Sequence, residues 1–488
     1  MGIKGITTGV AIFISANCVF ASTAAFQGLG DLPGGMYRSE AWDISADGRV
    51  VVGNSWASNS VETSYTATYR WTQNGGMEEL TNTLATYIFE NRGNGVNADG
   101  SVIVGYADLP VAGQQEAYRW SVADGMEGLG THLGGEPTST AYDVNSGGDV
   151  IVGLYYPSES ISEAFRWTLE GGAQGLGFLT GTAESVATAV SANGDIVVGY
   201  AYPDYKNGLS EREAFRWTEA TGCVGLGRLS GDDRSEAKGI SADGSTIVGY
   251  SQNSSGRHEA FRWTASEGLI GLGDFAGGSE ISIAEDASAD GSVIVGYSNS
   301  DEGPEAFIWD ESSGLMNLQD VLVHEHGLDL TGWSLTYGLA VSDNGKVIVG
   351  FGTNPDGDWE GWIAWLEIDD DEDGIKDDWE IEHFGSITNC VPTDDSDGDR
   401  YTNYEEYIND TQPHQFDIGS AMLWTAVEVG WKSVAGTNYQ IQSTTDLSDS
   451  NGWENVGDAI IGNGSINTMI FSTRTNEAQK YFRIILAP

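Results

Sequence analysis

A run of the type Ala-Asp-Gly-x-Val-Ile-Val-Gly recurs seven times, ending at Gly53, Gly105, Gly153, Gly199, Gly249, Gly296 and Gly350. The copies lie about 50 residues apart, a period on which one supersecondary unit stacks against the next. A second run, Glu-Ala-Phe-Arg-Trp-Thr, places a Trp in each unit, at Trp71, Trp120, Trp167, Trp217, Trp263, Trp309 and Trp365. A third, Gly-Leu-Gly, follows at 128–130, 175–177, 225–227 and 271–273. A fourth, Ser-x-Ala-x-x-Val-Ser, precedes the Asp-Gly turns, as at 39–45 and 235–241.

Each unit therefore holds four short apolar or alternating stretches bounded by turn residues, which predicts four strands. Asp47-Gly48, Asp99-Gly100, Asn193-Gly194, Asp243-Gly244, Asp290-Gly291 and Asn344-Gly345 suit two-residue hairpins. The Val-Ile-Val runs suit strands buried on both faces. With 67 Gly, 16 Trp and 20 Tyr in 488 residues, the composition agrees with an all-β chain and shows no collagen period. The expected fold is a seven-bladed β-propeller of four-stranded blades over 26–368. The segment 26–32, Phe-Gln-Gly-Leu-Gly-Asp-Leu, matches the strand that follows Trp in the middle units, and the last unit lacks that strand. The N-terminal segment is thus expected to complete the seventh blade and remove an open edge. A linear β-solenoid is the rival and leaves this complementarity unexplained.

Residues 1–25 read as a signal peptide: Lys4, an apolar run from Ile6 to Phe20, then small residues at 21–25. Asn17 before Cys18 is not the small residue a lipoprotein signal carries. No later run is apolar enough to span a bilayer. The chain is expected to be secreted or loosely held at the cell surface. The 22 basic residues against 72 acidic ones give a net charge of −50, which excludes nucleic acid as a partner and favours cations. Outside the signal, Cys223 and Cys390 remain, and two free thiols are the simpler reading.

The most acidic stretch has metal-ligand spacing. Counting from Asp369, an EF-hand-like loop has Asp369, Asp371 and Asp373 at positions 1, 3 and 5, Gly374 at 6 and the Ile375 carbonyl at 7. Asp377 stands at 9 and Glu380 at 12, so every ligand is a hard oxygen suited to Ca²⁺. A second loop offers Asp395, Asp397 and Asp399, the Tyr401 carbonyl, Asn403 and Glu406, with Arg400 in place of the position-6 Gly. Residues 369–410 hold 16 acids and two bases, Lys376 and Arg400, and carboxylates so crowded repel one another without a cation. A calcium-binding linker is expected over 369–413; a plain solvated acidic linker is the alternative. Five strands over 414–488 predict a small β-sandwich.

These motifs carry three resemblances. With its Gly-Leu-Gly and Asp-Gly-x-x-Val-Val-Gly segments, 26–366 resembles bacterial extracellular HAF-repeat proteins, with Glu116, Glu163, Glu213, Glu259 and Glu305 where that family has His. The family implies an exported repeat protein and no known reaction. The stretch Asp-Gly-Asp-x-x-Thr-Asn-x-Glu-Glu-Tyr at 397–407 resembles thrombospondin type 3 and dockerin-like linkers. Gly-Thr-Asn-Tyr-Gln-Ile-Gln-Ser-Thr-Thr-Asp-Leu at 436–447, with Trp453 and Tyr481-Phe482-Arg483, is similar to a C-terminal module of secreted Verrucomicrobia-type proteins.

Residues repeated in every unit are expected to be structural, and the Glu–Arg pairs of four units, such as Glu163 with Arg166 and Glu213 with Arg216, are read as blade-to-blade packing. Function is expected where the units differ. Tyr155, Tyr156 and Pro157, and Tyr202 to Tyr205, are read as variable loops that stack on sugars or pack on a rim. Tyr106, Tyr200, Tyr250 and Tyr297 share one repeat position and are expected to line one surface. His324-Glu325-His326, read as strand, offers two His on one face for a transition metal, without further ligands nearby. No nucleophile elbow, zincin helix or phosphate loop occurs. The leading expectation is a non-catalytic scaffold that binds extracellular polysaccharide or a cell-surface protein. A propeller glycan lyase or hydrolase with its site at the central channel, and a structural matrix component, are the alternatives. An enzyme should show one-off polar residues converging at one mouth of the ring.

Overall fold

A computed structural model describes residues 24–366 apart from 59–63, 82–83, 85–89, 110–113, 131–137, 159–160 and 203–211. Beyond these it describes 375, 377–384, 386, 389–397, 401–409, 413, 426–444, 454–472 and 481–486. The signal-peptide reading of 1–25 thus lies almost wholly outside the described residues. The chain forms two compact units, residues 1–389 and 390–488.

The first unit is built of four-stranded antiparallel sets resembling the blades of β-propellers. In the first set, Gly34–Ile44 pairs with Val50–Ser58, then Ser64–Thr72, then Gly76–Glu79. The same order recurs at 91–128, 139–175, 184–227, 234–273 and 277–317. In the last set, Ser334–Val341, Val347–Thr353 and Trp359–Trp365 are joined by Ala25–Gly28, whose Phe26 faces Ala364. The N-terminal strand supplies the missing fourth member, as expected.

The repeated sequence explains this geometry. Each Val-Ile-Val run is buried on both faces: Val51, Val52, Ile103, Val104, Ile151 and Val152 are all 0% exposed. Opposite each repeat glycine stands an aromatic ring, in the cross-strand pairs Gly53–Tyr69, Gly105–Tyr118, Gly153–Phe165, Gly199–Phe215, Gly249–Phe261, Gly296–Phe307 and Gly350–Trp362. All seven rings are 0% exposed, filling space that the glycine leaves. Burying each is worth roughly 2–3 kcal/mol. In the last set this register puts Trp362 in the ring position and Ala364, not Trp365, where the other sets carry Trp. The cores lie between sets: one cluster joins Val102, Val104 and Ala117 of the second set to Phe165 and Trp167 of the third.

The hairpins differ from the two-residue turns expected. Ser45 N–H donates to Val50 O, and Gly48 N–H donates to Ser45 O, so four residues separate the closing pair. Ser45 Oγ accepts from Val50 N–H and donates to Asp47, a local side-chain bond that holds the wider turn open. These turns also link the sets. Ala46 N–H donates to Ala98 O, Ser146 to Ala192, Ala192 to Ala242, Asp243 to Ala289, Ala289 to Asp343, and Asp343 returns to Ala46 O. Asn97 Nδ2 bridges to Ser146 O and completes the circuit.

Repeated polar residues staple neighbouring sets. Ser185 Oγ accepts from Ala164 N–H and donates to Gly177 O; Ser235 and Ser282 repeat the arrangement. Arg70, Arg119 and Arg166 donate through Nε to the carbonyls of Gly100, Gly148 and Gly194 in the following set. Glu116, Glu163 and Glu213 instead accept from Gly130, Gly177 and Gly227 N–H at their own fourth strands, so Glu and Arg act separately. At the closing set, Glu360 accepts from Gly30 N–H in the same way.

In the second unit, Ala426–Lys432 pairs with Ile466–Ser472, while Asn438–Thr444 lies between Glu454–Ile461 and Tyr481–Leu486. These are the two sheets a small sandwich needs.

Candidate binding site at the channel

The innermost strand of every set breaks register at a shared position. In the first, Ala41 faces Gly53 and Asp43 faces Val52, leaving Trp42 as a bulge. The same shift isolates Asn94, Tyr142, Thr188, Lys238, Glu285 and Leu339. The repeat glycine permits it: a Cβ at Gly105 would run into the carbonyl oxygen of Arg92. A bulge re-aims its side chain, and all seven bulge residues line one cavity of about 570 Å³. No two of them are the same residue type. The most repetitive part of the chain thus presents its least repeated position to one space.

Asp43, Asp143 and Asp286 follow three of the bulges and line both this cavity and a smaller one of about 110 Å³. Asp43 accepts from Ile44 N–H at 2.8 Å and from Val96 N–H of the next set at 2.7 Å. Asp143 does the same with Val144 and Val190, and Asp286 accepts from Val341. Burial pushes the Asp143 carboxyl up to about 6 and that of Asp286 up to about 7. Asp43 is raised well above the carboxylate range by burial and by the charges of Asp143 and Asp286. These three carboxyls form a floor that is committed to holding sets together.

At the same strand ends, Asn54, Tyr106 and Tyr200 occupy one repeat position and line the larger cavity. Tyr297 and Phe351 share that position and belong to a run of rings. Tyr297 meets Tyr337 at 4.7 Å, Tyr337 meets Phe351 at 4.8 Å, and Phe351 meets Trp359 at 5.4 Å and Trp42 at 6.3 Å. Trp42 and Trp359 remain 36% and 37% exposed, so the run reaches solvent and ends at the cavity. Beside it, the Arg38 guanidinium lies 4.5 Å from the Trp56 ring centre. On the other side, Arg212 pairs with the buried Glu236 and lies over the Tyr200 and Tyr202 rings. Burial and the Glu236 charge push the Tyr250 hydroxyl upward, and burial lowers His258, whose ring lies 4.9 Å from Tyr250.

The other residues singled out from sequence fall elsewhere. Tyr155 is in a strand, 6% exposed, and donates to Glu163 at 2.7 Å, so it packs rather than projects. Tyr156 and Pro157 continue the same strand, Val150–Ser158. Tyr202 also ends a strand and stacks on Tyr200, and Tyr205 lies outside the described residues. His324 sits in a π-helical turn, Val321–Glu325, not a strand, because Leu318, Val321 and Leu322 bury a helical face; its Nε2 lies 3.6 Å from Asp320. Cys223 and Cys390 are both free thiols.

Of the first acidic loop, Asp369, Asp371 and Asp373 lie outside the described residues, and Asp377 opens the helix Asp377–Phe384. Ile375 and Glu380 are both 0% exposed. In the second, Asp399 lies outside the described residues, and Asn403 opens the helix Asn403–Asn409. Glu406 and Asn403 are each 1% exposed, and Asn403 Oδ1 is buried with no hydrogen-bond donor to it. Among the described residues Asp395, Asp397 and Tyr401 complete that set. Both position 12 carboxylates are buried, the position 9 amide oxygen of the second loop is orphaned and a helix leaves each loop, and among the described residues no three His, Cys, Asp or Glu side chains gather to hold a metal.

No family model matches the chain, and no curated protein matches it. Solved structures are similar to it at low identity. The TolB protein of Acinetobacter baumannii shares 14% identity at a TM-score of 0.38, covering 66% of this chain and 82% of that one. The β-propeller domain of the Trilobed protease from Pyrococcus furiosus, described as having an open velcro topology, shares 10% at 0.45, covering 68% and 96%. A puromycin hydrolase shares 14% at 0.46, covering 67% and 52%. Among the described residues no helix is long and apolar enough to cross a membrane.

Proposed function

We propose that this chain is an exported, closed seven-bladed propeller whose channel face binds extracellular polysaccharide. The observation that carries the reading is the aromatic run from Tyr297 to Trp42, which reaches solvent and ends at the cavity lined by all seven bulge residues. A pyranose offers apolar faces to rings and hydroxyls to Asn94, Thr188 and Glu285. The circuit of turn hydrogen bonds and the N-terminal strand support ring closure and leave the linear solenoid without a free end. Ca²⁺ held by Asp369, Asp371, Asp373, Ile375, Asp377 and Glu380, and by Asp395, Asp397, Asp399, Tyr401, Asn403 and Glu406, stiffens the linker. The HAF-repeat, thrombospondin type 3 and Verrucomicrobia-type resemblances agree with an exported protein.

One observation favours the second reading, a glycan lyase or hydrolase: Asn94, Thr188, Lys238 and Glu285 are one-off polar bulge residues that converge on one cavity, as an enzyme needs. Against it, the floor carboxyls are taken by backbone N–H groups rather than left to act on substrate. The deciding experiment incubates residues 26–488 with Ca²⁺ and a panel of polysaccharides. Retention without new chain ends is the expected result. New ends, lost when Trp42 and Lys238 are both replaced by alanine, would overturn the non-catalytic reading.

A further inference from the structure

The charges around the channel cavity set a preference among polysaccharides, and this inference rests on the polysaccharide reading above. Lys238 is the bulge residue of its set and lines the cavity half-buried. Its Nζ lies 5.8 Å from the Tyr250 ring centre, and no carboxylate pairs with it among the described residues. Arg92 also lines the cavity, already paired with Glu90 at 2.6 Å. The floor carboxyls of Asp43, Asp143 and Asp286 accept from backbone N–H groups, and among the described residues none of them lies within ion-pair distance of Lys238.

A ligand that fills the cavity displaces the water around the Lys238 ammonium. A neutral ligand would then leave a charge desolvated without a counter-ion, which is costly. Glu285, the neighbouring bulge residue, is served differently, because sugar hydroxyls donate to a carboxylate. We infer that the cavity takes the anionic group of an acidic sugar residue, with Lys238 as its counter-ion and the Tyr142 and Tyr200 rings bounding the sugar. Carboxylate and sulfate share this chemistry.

The test uses the full chain with Ca²⁺ and measures affinity by calorimetry for polygalacturonate, its methyl ester, dextran sulfate and dextran. The acidic polymers are expected to bind at least about tenfold more tightly than the neutral ones, one charge-assisted contact's worth. The polygalacturonate and dextran sulfate arms separate carboxylate from sulfate. Lys238→Gln, with an unchanged melting temperature, is expected to erase the preference, weakening the acidic polymers and relieving the desolvation penalty on the neutral ones. Equal binding of acidic and neutral polymers, or a preference that survives Lys238→Gln, overturns this inference and leaves the polysaccharide reading standing. Failure of all four polymers to bind overturns both.

Discussion

The backbone N–H of Gly361 donates to Oγ of Ser39 at 3.0 Å, across 322 residues of chain. Ser39 in turn donates to Gly30 O at 2.6 Å. Ser185 makes the same two bonds between adjacent sets. The closing contact of the ring is therefore chemically the same as the contacts inside it, and the long loop it closes adds only slowly to its entropic cost.

Replacing Ser39 with alanine strands a buried N–H and should cost about 1–3 kcal/mol. Ser235→Ala, within the ring, should cost a similar amount. Chemical denaturation of both variants checks this. A much smaller loss at Ser39 would mean that the ring is held shut by something else.

The channel carboxyls give stability a pH dependence. Asp143 and Asp286 titrate near 6 and 7 in the folded chain, against an ordinary value of 3.8. Their folded values are raised, so their contribution is complete below about pH 4 and is lost as pH rises through 6 to 7. Asp286→Asn should carry a fixed penalty for its amide and should flatten this fall. The measurement is the wild-type minus variant difference in unfolding free energy between pH 5 and pH 8, expected to change by on the order of 2 kcal/mol once channel water is allowed for.

Gly239 has no room for a side chain: a Cβ there would stand 2.6 Å from Glu285 O of the next set. Gly239→Ala should destabilise the chain by about 1–3 kcal/mol through overpacking. Thermal melting reports it. Gly222→Ala, where nothing stands within 4 Å but φ is +65°, isolates the backbone part of such a penalty.

Calcium should raise the melting temperature, and a chelator should reverse the rise. Glu380→Gln and Glu406→Gln should each remove part of the calcium-induced shift and leave the metal-free melting temperature nearly unchanged. A wild-type melting curve indifferent to calcium would return 369–413 to a solvated linker.

Cys223 is half-buried, and burial pushes its thiol up to about 11. It should alkylate at pH 8 far more slowly in the folded chain than in denaturant. Mass spectrometry of the quenched reaction distinguishes this from a disulfide, which would block both cysteines even in denaturant.

Repetition made the fold legible in sequence. The four strands per unit and the buried Val-Ile-Val run follow from spacing, and the closing role of 26–32 from its match to the strand that the last unit lacks. Trp365 misled, because the register of the last set puts Ala364 at the repeated Trp position and Trp362 at the position of the buried ring. The turns misled too, since Asp47-Gly48 looks like a two-residue hairpin until Ser45 Oγ is seen to cap Val50. The site was harder to read. Trp42, Lys238 and Glu285 share nothing in sequence except position, and only the register break after Ala41, Ala237 and Ala284 shows that this position faces inward. Tyr155 drew notice as a variable aromatic, yet its hydroxyl is spent on Glu163.

The bulge separates two tasks within one strand. Residues that face the neighbouring sets carry the ring, and the bulge residue of each set reaches the cavity. Asn94 and Thr188 also donate to Ala141 O and Ala237 O of the following sets, so exchange is freest at the bulges that make no such bond. The scaffold works as a combination lock with one tumbler per set, and chains sharing this frame are free to diverge in what they recognise while keeping the same ring.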